Sequence, residues 1–396
     1  MLRFLTAGES HGPSLTVIVE GLPSGLAITA EQIGDELARR RLGYGRGPRM
    51  RFERDELRIT GGIRHGRTLG SPVAIEILNS EWPKWEQEMS AAPGTPSDRL
   101  TKPRPGHADL AGMQKYEFDD ARDVLERASA RETAARVVAG TLAKALLATI
   151  GVEVLSHVVR IGQVAAPSDH RPLPGELPIV DESEVRCFDA DSAQAMIGEI
   201  KAAAKEGDSL GGIVEVIAYG LPVGLGSYVH WDRKLDGLLA GALMSIQAVK
   251  AVEIGDGMIQ ASQRGSVAHD AIAVDESFKS GGGYVRRSDH AGGLEGGMTS
   301  GAPVIAKVAM KPLATLNRPV LETVDVATGE STVSFKERTD VTAVPALGVV
   351  TEAMMALVLA NEALRKFGGD SVGEFTRNHE SYVANLGSTT SASRPE

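Results

Sequence analysis

The chain has 396 residues, 42% of them apolar, enough to bury a large core as one domain or two. It carries 52 acidic against 42 basic residues and only 4% aromatics. Both values argue against a sequence-independent nucleic-acid surface, which needs cationic neutralisation of phosphates and stacking platforms.

The N-terminus, Met1-Leu2-Arg3-Phe4, runs into Gly8-Glu9-Ser10-His11 without an apolar signal core. Ser14 to Glu20 alternates and reads as a strand. Thr29-Ala30-Glu31-Gln32 is a capping box opening a helix through Arg41, with Ile33 and Leu37 inward. Six arginines and no acid then fall in the 14 residues from Arg39 to Phe52. Gly43, Gly45, Gly47 and Pro48 break that run, so it cannot be one helix face. It reads either as a solvated basic loop or as a site for a small, highly charged anion, which guanidinium forks suit. Strands follow near 57–63 and 72–78, and a Pro-rich loop over 90–105. Ser129-Ala130-Arg131-Glu132 is a second capping box, with a helix behind it to about Ile150. Residues 164–186 read as a surface excursion. Helices are expected near 190–205, 233–250 and 348–367, and strands near 152–160, 212–219 and 303–310. Val341 to Ala360 is the most apolar run, but Pro345 and Glu352 interrupt it, so no membrane span is expected. The tail from about Asn378 reads as disordered.

The chain repeats itself. Residues 8–26, GESHGPSLTVIVEGLPSGL, align without a gap with residues 207–225, GDSLGGIVEVIAYGLPVGL. Residues 61–73, GGIRHGRTLGSPV, match residues 292–304, GGLEGGMTSGAPV, in the same order. Two related halves, about 1–205 and 206–378, are expected in a single domain, with 379–396 as a tail. What the copies share is scaffold. What they do not share, such as His11 opposite Leu210, is free to be chemistry. The strand-to-helix rhythm is not that of βαβ units, so the fold class is α+β with antiparallel sheets and helices packed on them.

His11 in Gly8-Glu9-Ser10-His11-Gly12 and His107 in Arg104-Pro105-Gly106-His107-Ala108-Asp109 are candidates for proton transfer, with small neighbours that leave room for a ligand. No His-x-x-x-His spacing or cysteine cluster exists, so no metal is expected. Arg127 and Arg131 flank a helix start, where free N–H groups attract anions. The stretch Gly292 to Gly301 is neither a Walker A loop nor a dinucleotide fingerprint. Lys311 to Thr315 offers a cation and a hydroxyl after a strand, and Arg338-Thr339-Asp340 a cation and a carboxylate.

Together these segments resemble the chorismate synthase family over nearly all of residues 1–370. Gly8 through Pro23, Glu126 through Thr133 and Arg338 through Glu352 are similar to its three signatures, and Arg104 through Asp109 and Glu253 through Gly257 are also typical. The resemblance implies a β-α-β sandwich, antiparallel sheets flanking central helices in two pseudo-symmetric halves. It implies a lyase of the shikimate pathway of aromatic amino acid biosynthesis, a cytoplasmic homotetramer. The reaction implied is the anti 1,4-elimination of phosphate from 5-enolpyruvylshikimate 3-phosphate, giving chorismate. That reaction requires reduced FMN without net redox change, NADPH serving only as an indirect source of reductant. His11, His107 and Asp340 match proton-handling positions. Flavin contacts fall on Arg127, Ala128, Ser129, Gln247, Ala248, Gly296, Lys311, Pro312, Leu313, Ala314, Thr315 and Arg338. Arg40 and Arg46 match positions assigned to NADP, and with Arg49 and Arg131 they serve equally as partners of the substrate anions. Gln247, Ala128 and Thr339 depart from the residues most frequent in the family. No extra domain for flavin reduction is visible, so an external flavin reductant is expected as a partner.

Overall fold

The computed structural model describes residues 1–46, 55–168, 170–335 and 339–386. The first copy of the repeat builds strands β1 (Arg3–Ala7), β2 (Ser14–Glu20), β3 (Glu56–Gly61), the hairpin β4 (Ile63–Arg64) and β5 (Arg67–Thr68), and β6 (Val73–Leu78). Helix α1 (Ala30–Arg41) opens at the expected box: Gln32 N–H donates to Thr29 Oγ1 at 3.2 Å and Thr29 N–H to Gln32 Oε1 at 2.9 Å. It ends where Gly43 takes a left-handed φ of 128°, with three arginines in the last turn offsetting the helix dipole. Helices α2 (Trp82–Trp85), α3 (Asp109–Tyr116), α4 (Arg122–Ala128) and α5 (Thr133–Ala148) follow.

The second part supplies β7 (Glu153–Ile161), β8 (Val164–Ala165), α6 (Leu177–Glu182), α7 (Ala190–Glu206), β9 (Gly212–Tyr219), α8 (Leu235–Met244) and β10 (Val249–Ile254). Short elements come next: α9 (Gly257–Gln260), α10 (Gly265–Ala268), β11 (Ile272–Val274), β12 (Tyr284–Arg286), and the hairpin β13 (Leu294–Glu295) and β14 (Met298–Thr299). Strand β15 (Val304–Met310), the hairpin β16 (Glu322–Val324) and β17 (Ser331–Val333), and helices α11 (Val344–Phe367) and α12 (Val372–Asn385) follow.

The aligned segments form matching structures. One sheet has the order β1-β2-β6-β3 and the other β10-β15-β9-β7-β8, with all neighbours antiparallel. Ser14 pairs with Leu78 and Val19 with Val73; the equivalent residues Ile213 and Ala218 pair with Ala309 and Val304, in the same register. A shared threonine pins each copy. Thr68 Oγ1 accepts from Leu26 N–H at 3.0 Å and donates to Pro23 O at 2.6 Å. Thr299 Oγ1 does the same with Leu225 N–H at 2.8 Å and Pro222 O at 2.6 Å. Both hydroxyls are buried. Thr68→Val and Thr299→Val each leave a buried N–H unsatisfied, so each is expected to cost about 1–3 kcal/mol. The two sites are independent and their costs should add in urea melts. A variant as stable as wild type would show that the staple is not what ties that turn.

Helices α5 and α11 pack on each other; α5 also meets β2, and α11 meets β7 and β9. The closest approach is at Gly140, where a Cβ would collide with the Ala353 backbone. One apolar cluster takes side chains from Leu2 to Phe375 and thus from both copies.

Four expectations change. The helix expected over 233–250 stops at Met244, and Val249–Ile254 is a strand. The second capping box is not closed on α5. Ser129 instead accepts from Arg131 N–H to start a short 3-10 turn, while Glu132 binds Thr6, Arg136 and Gln247. The stretch 164–186 is not all surface, because Val180, Val185 and Arg186 are buried. The tail is helical to Asn385: Ser371 and Glu374 form a capping box, Phe375 is buried, and Tyr382 donates to Val223 O at 3.1 Å. Helix α11 is long and apolar enough to cross a bilayer, yet 89% of its most apolar window is buried inside the protein.

Candidate active site

Two groups of polar side chains gather around the start of α5 and the segment before α11. The first is built on the loop after β1. Ser10 N–H donates to Glu126 O at 3.0 Å, and Asn79 Nδ2 donates to Gly12 O at 2.9 Å, which fixes the turn. His11 is thereby buried, with its ring stacked on Trp85 at 4.0 Å. Its backbone N–H meets Glu126 Oε2 at 2.8 Å and its Nδ1 meets Glu126 Oε1 at 2.8 Å. An ionised Glu126 can only accept, so it holds the proton on Nδ1 and leaves Nε2 for other chemistry. Burial opposes ionisation of Glu126, but the His11 hydrogen bonds and the Arg122 charge hold its carboxyl below the usual range.

The same group continues into the arginines. Ser129 Oγ donates to Ser10 Oγ at 3.2 Å. Arg40, 5% exposed, reaches Thr133 Oγ1 at 2.9 Å and Ala130 O at 2.8 Å. Arg131 pairs with Asp55 at 2.7 Å, which Arg41 also approaches at 3.6 Å. Arg46 pairs with Asp340 at 3.1 Å. Burial first, then repulsion by Arg46 and Arg131, pushes the Arg40 guanidinium down to about 9 despite Asp55 and Asp340. Four arginines face two carboxylates here among the described residues.

The second group centres on fully buried Asp109, at the start of α3. It accepts from Arg104 N–H at 3.0 Å, from Arg104 Nε at 2.9 Å and from His107 Nδ1. Burial resists its ionisation, yet these two partners hold it well below the usual carboxylate range. Arg104 lies over Phe335 at 5.3 Å and donates to Thr315 Oγ1 at 3.1 Å. Lys311 Nζ donates to Gly106 O. The groups are tied by backbone: Val341 N–H to Gly45 O at 2.8 Å, Leu210 N–H to Val341 O at 2.8 Å, and Lys311 N–H to Ala248 O at 3.0 Å. Beside them a cavity of about 380 Å³ is lined by Thr6, Arg127, Glu132, Arg136, Ser245 and Gln247 among others.

Each group thus holds a histidine oriented by a carboxylate, and the first is rich in guanidinium side chains. A family model described as chorismate synthase matches residues 2–364. The chain belongs to the chorismate synthase family. A relative named chorismate synthase from Paenarthrobacter aurescens is 57% identical over 98% of each chain. One from Frankia alni is 59% identical, over 98% of this chain and 99% of its own. A crystal structure of chorismate synthase superposes with a TM-score of 0.78 at 39% identity, covering 98% of both chains. Membership makes the protein a lyase acting on a phosphate ester.

Within this chorismate synthase framework most of the expected residues fall into the two groups. His11, Ser129, Arg40, Arg46, Arg131 and Asp340 belong to the first. His107, Lys311 and Thr315 belong to the second, and Leu313 O accepts from Ser209 Oγ at 2.8 Å between them. Pro312 and Ala314 lie in the same segment, and Ala128 closes α4. Arg127 and Gln247 line the 380 Å³ cavity, Arg127 through bonds to Thr6 O at 2.9 Å and Gly8 O at 3.1 Å. Ala248 holds a left-handed φ of 65°, a strained setting for a residue with a Cβ. Gly296 is placed apart. Leu235 N–H at the start of α8 donates to Gly297 O, whereas Gln247 follows the end of that helix, roughly 15 Å away for ten residues. Gly296 instead lines a cavity of about 990 Å³ beside β10. Arg49 and Arg338 lie outside the described residues.

The carboxylates behind the histidines, with Arg104, Asp55 and Trp85, were not among the expected site residues. Asp109 was readable two residues after His107; Glu126 is 115 residues from His11 and its partnership was not. Asp109→Asn is expected to lower turnover by about 10²–10⁴-fold, because an amide can present its N–H to Nδ1 and select the other tautomer. Anaerobic steady-state rates check this. Unchanged turnover would remove Asp109 from any orienting role.

Proposed function

We propose that the protein eliminates phosphate from 5-enolpyruvylshikimate 3-phosphate by an anti 1,4-elimination to give chorismate, with reduced FMN as cofactor. The observation that carries this reading is the buried Arg40 held on Ala130 O and Thr133 at the start of α5, joined through Ser129 and Ser10 to a histidine oriented by Glu126. The substrate bears one phosphate and two carboxylates, so several guanidinium groups are needed to offset it. Arg40, Arg46 and Arg131 take those anions, with Arg49 beyond the described residues as a further candidate.

The residues present fit a flavin. Gln247 Oε1 is buried and has no hydrogen-bond partner, so it offers an acceptor beside Arg127 in the 380 Å³ cavity. Arg127, Ala128, Ser129, Gln247, Ala248 and the Lys311–Thr315 segment would hold it. Reduced FMN, when bound, supplies electron density to the allylic system and recovers it, so no net redox change results. The chain's own part is binding and proton handling. The arginines hold the substrate, His11, once doubly protonated, gives its Nε2 proton to the departing phosphate and keeps the Nδ1 proton on Glu126, and His107 and Asp340 take separate proton roles. NADPH is only an indirect source of reductant, and an external reductase supplies the reduced flavin.

The same reading includes a single domain of two related halves, a layered β-α-β sandwich supported by the packing of α5 and α11 against the two sheets, a homotetramer and a cytoplasmic setting. The test is an anaerobic assay with the phosphorylated substrate and reduced FMN, following chorismate and phosphate. Turnover without reduced flavin would overturn the cofactor claim. NADPH-driven turnover with oxidised FMN would overturn the need for an external reductant.

A further inference from the structure

Beneath the arginine cluster lies a second charged network that takes no part in the chemistry above. Its centre is Glu352, fully buried in the middle of α11. Arg39 grips it with both ends of its fork, Nη1 to Oε2 at 2.8 Å and Nη2 to Oε1 at 3.0 Å. Lys144 on α5 donates to Oε2 at 2.6 Å, Ser156 on β7 to Oε1 at 2.7 Å, and Arg186 to Oε1 at 3.0 Å. Glu36 and Asp181 complete it: Arg39 Nε meets Asp181 Oδ2 at 2.7 Å, and Lys144 meets Glu36 at 2.9 Å. Three cations therefore balance three carboxylates, and two helices, a strand and the Arg186 turn converge on one side chain.

Arg39 immediately precedes Arg40. The two side chains diverge from the last turn of α1, one into the Glu352 network and the other to Ala130 O and Thr133. The following turn is fastened to the same surroundings. Tyr44 N–H donates to Glu184 O, two residues before Arg186, and Gly43 abuts Pro345 at the start of α11. The end of α1 is thus held from the Glu352 side, while Arg40 leaves it in another direction and Arg46 follows in the turn beyond.

We propose that Glu352 is a positioning residue for substrate binding, which fixes the last turn of α1 through Arg39 and so sets where Arg40 and Arg46 stand. The inference rests on the reading that these two arginines bind the substrate anions. Neutralising Glu352 leaves three buried cations sharing two carboxylates, Glu36 and Asp181, which lets that turn relax toward them. Binding suffers first, because a displacement of about 1 Å at a charged contact is costly, while the histidines stand on other elements.

The experiment measures KM and kcat anaerobically with 5-enolpyruvylshikimate 3-phosphate and reduced FMN, alongside thermal stability. Glu352→Gln is expected to raise KM at least tenfold with kcat within about threefold of wild type. Arg39→Lys, which keeps the charge but loses the fork, is expected to do the same and serves if Glu352→Gln fails to fold. Glu215→Gln is the control. That carboxylate is equally buried but pairs with Arg171 and His157 on the second sheet, so it should lower stability and leave KM unchanged. An unchanged KM in folded Glu352→Gln or Arg39→Lys, or an equal rise in Glu215→Gln, overturns the proposal. A wild-type protein that does not turn over this substrate at all would instead count against the function reading.

Discussion

His11→Ala is expected to lower turnover by about 10²–10⁴-fold, the usual contribution of a positioned general acid or base. The geometry explains why water cannot replace it. Glu126 takes two hydrogen bonds from residue 11, one from the backbone and one from Nδ1, and Trp85 covers one ring face. The ring therefore has one position and one free nitrogen. Removing it also strips a partner from a buried carboxylate, at a cost of about 1–3 kcal/mol in stability. Melting curves must accompany the rates, and the Glu126 carboxylate keeps the residue 11 backbone N–H and Arg122 to limit the damage. His107→Ala is expected to act independently, since Asp109 and Arg104 orient His107 on a different loop. If the two histidines handle different protons in separate steps, whichever step is slower sets the rate. If they serve one step, the double variant falls by much less than the product of the single losses. Wild-type turnover in the double variant would remove both from the mechanism.

The repeat was legible because its shared residues do structural work that allows few substitutes. The Gly-Leu-Pro-x-Gly-Leu turn and the stapling threonine impose the same register in both sheets. The break between α8 and β10 was hidden for the opposite reason. Residues 235–254 run without glycine at the break, and Ala248 takes the left-handed conformation that a glycine normally marks. The helix at 372–385 did carry its signal, the Ser371–Glu374 box, inside a stretch whose composition reads as a tail. The site was half readable. Histidines and arginines stand out by type, and Asp109 lies beside His107 in sequence. The pairs His11–Glu126 and Arg39–Glu352 are 115 and 313 residues apart, so only the fold brings them together. Arg186 shows the same limit. Its segment is polar and proline-rich, yet its charge is buried because Glu352 waits on another element.

Arg40→Met is expected to weaken substrate binding by about 10²–10³-fold while leaving the free protein at least as stable as wild type. The two halves of that expectation have one cause. Burial, Arg46 and Arg131 all disfavour charge on Arg40 and bring its pKa down to about 9. Between about 9 and the ordinary arginine value, such a cation binds fewer protons in the folded chain than in the unfolded one. Its contribution to stability is therefore unfavourable at neutral pH and shrinks as pH rises from about 9. Removing the charge relieves that cost, and the hydrogen bonds lost are few. Ala130 O still accepts from Thr133 Oγ1 at 2.6 Å once Arg40 is gone. With a polyanion bound the balance reverses, because losing one partner of a buried charged pair costs about 2–5 kcal/mol. Arg40→Lys should recover little, since a single ammonium cannot reproduce the fork. Inorganic phosphate offers a direct check: it should raise the melting temperature of wild type more than that of Arg40→Met, and less so at high ionic strength. A variant that loses stability without losing affinity for phosphate or substrate would show Arg40 to be part of the scaffold, with its charge already balanced by Asp55 and Asp340.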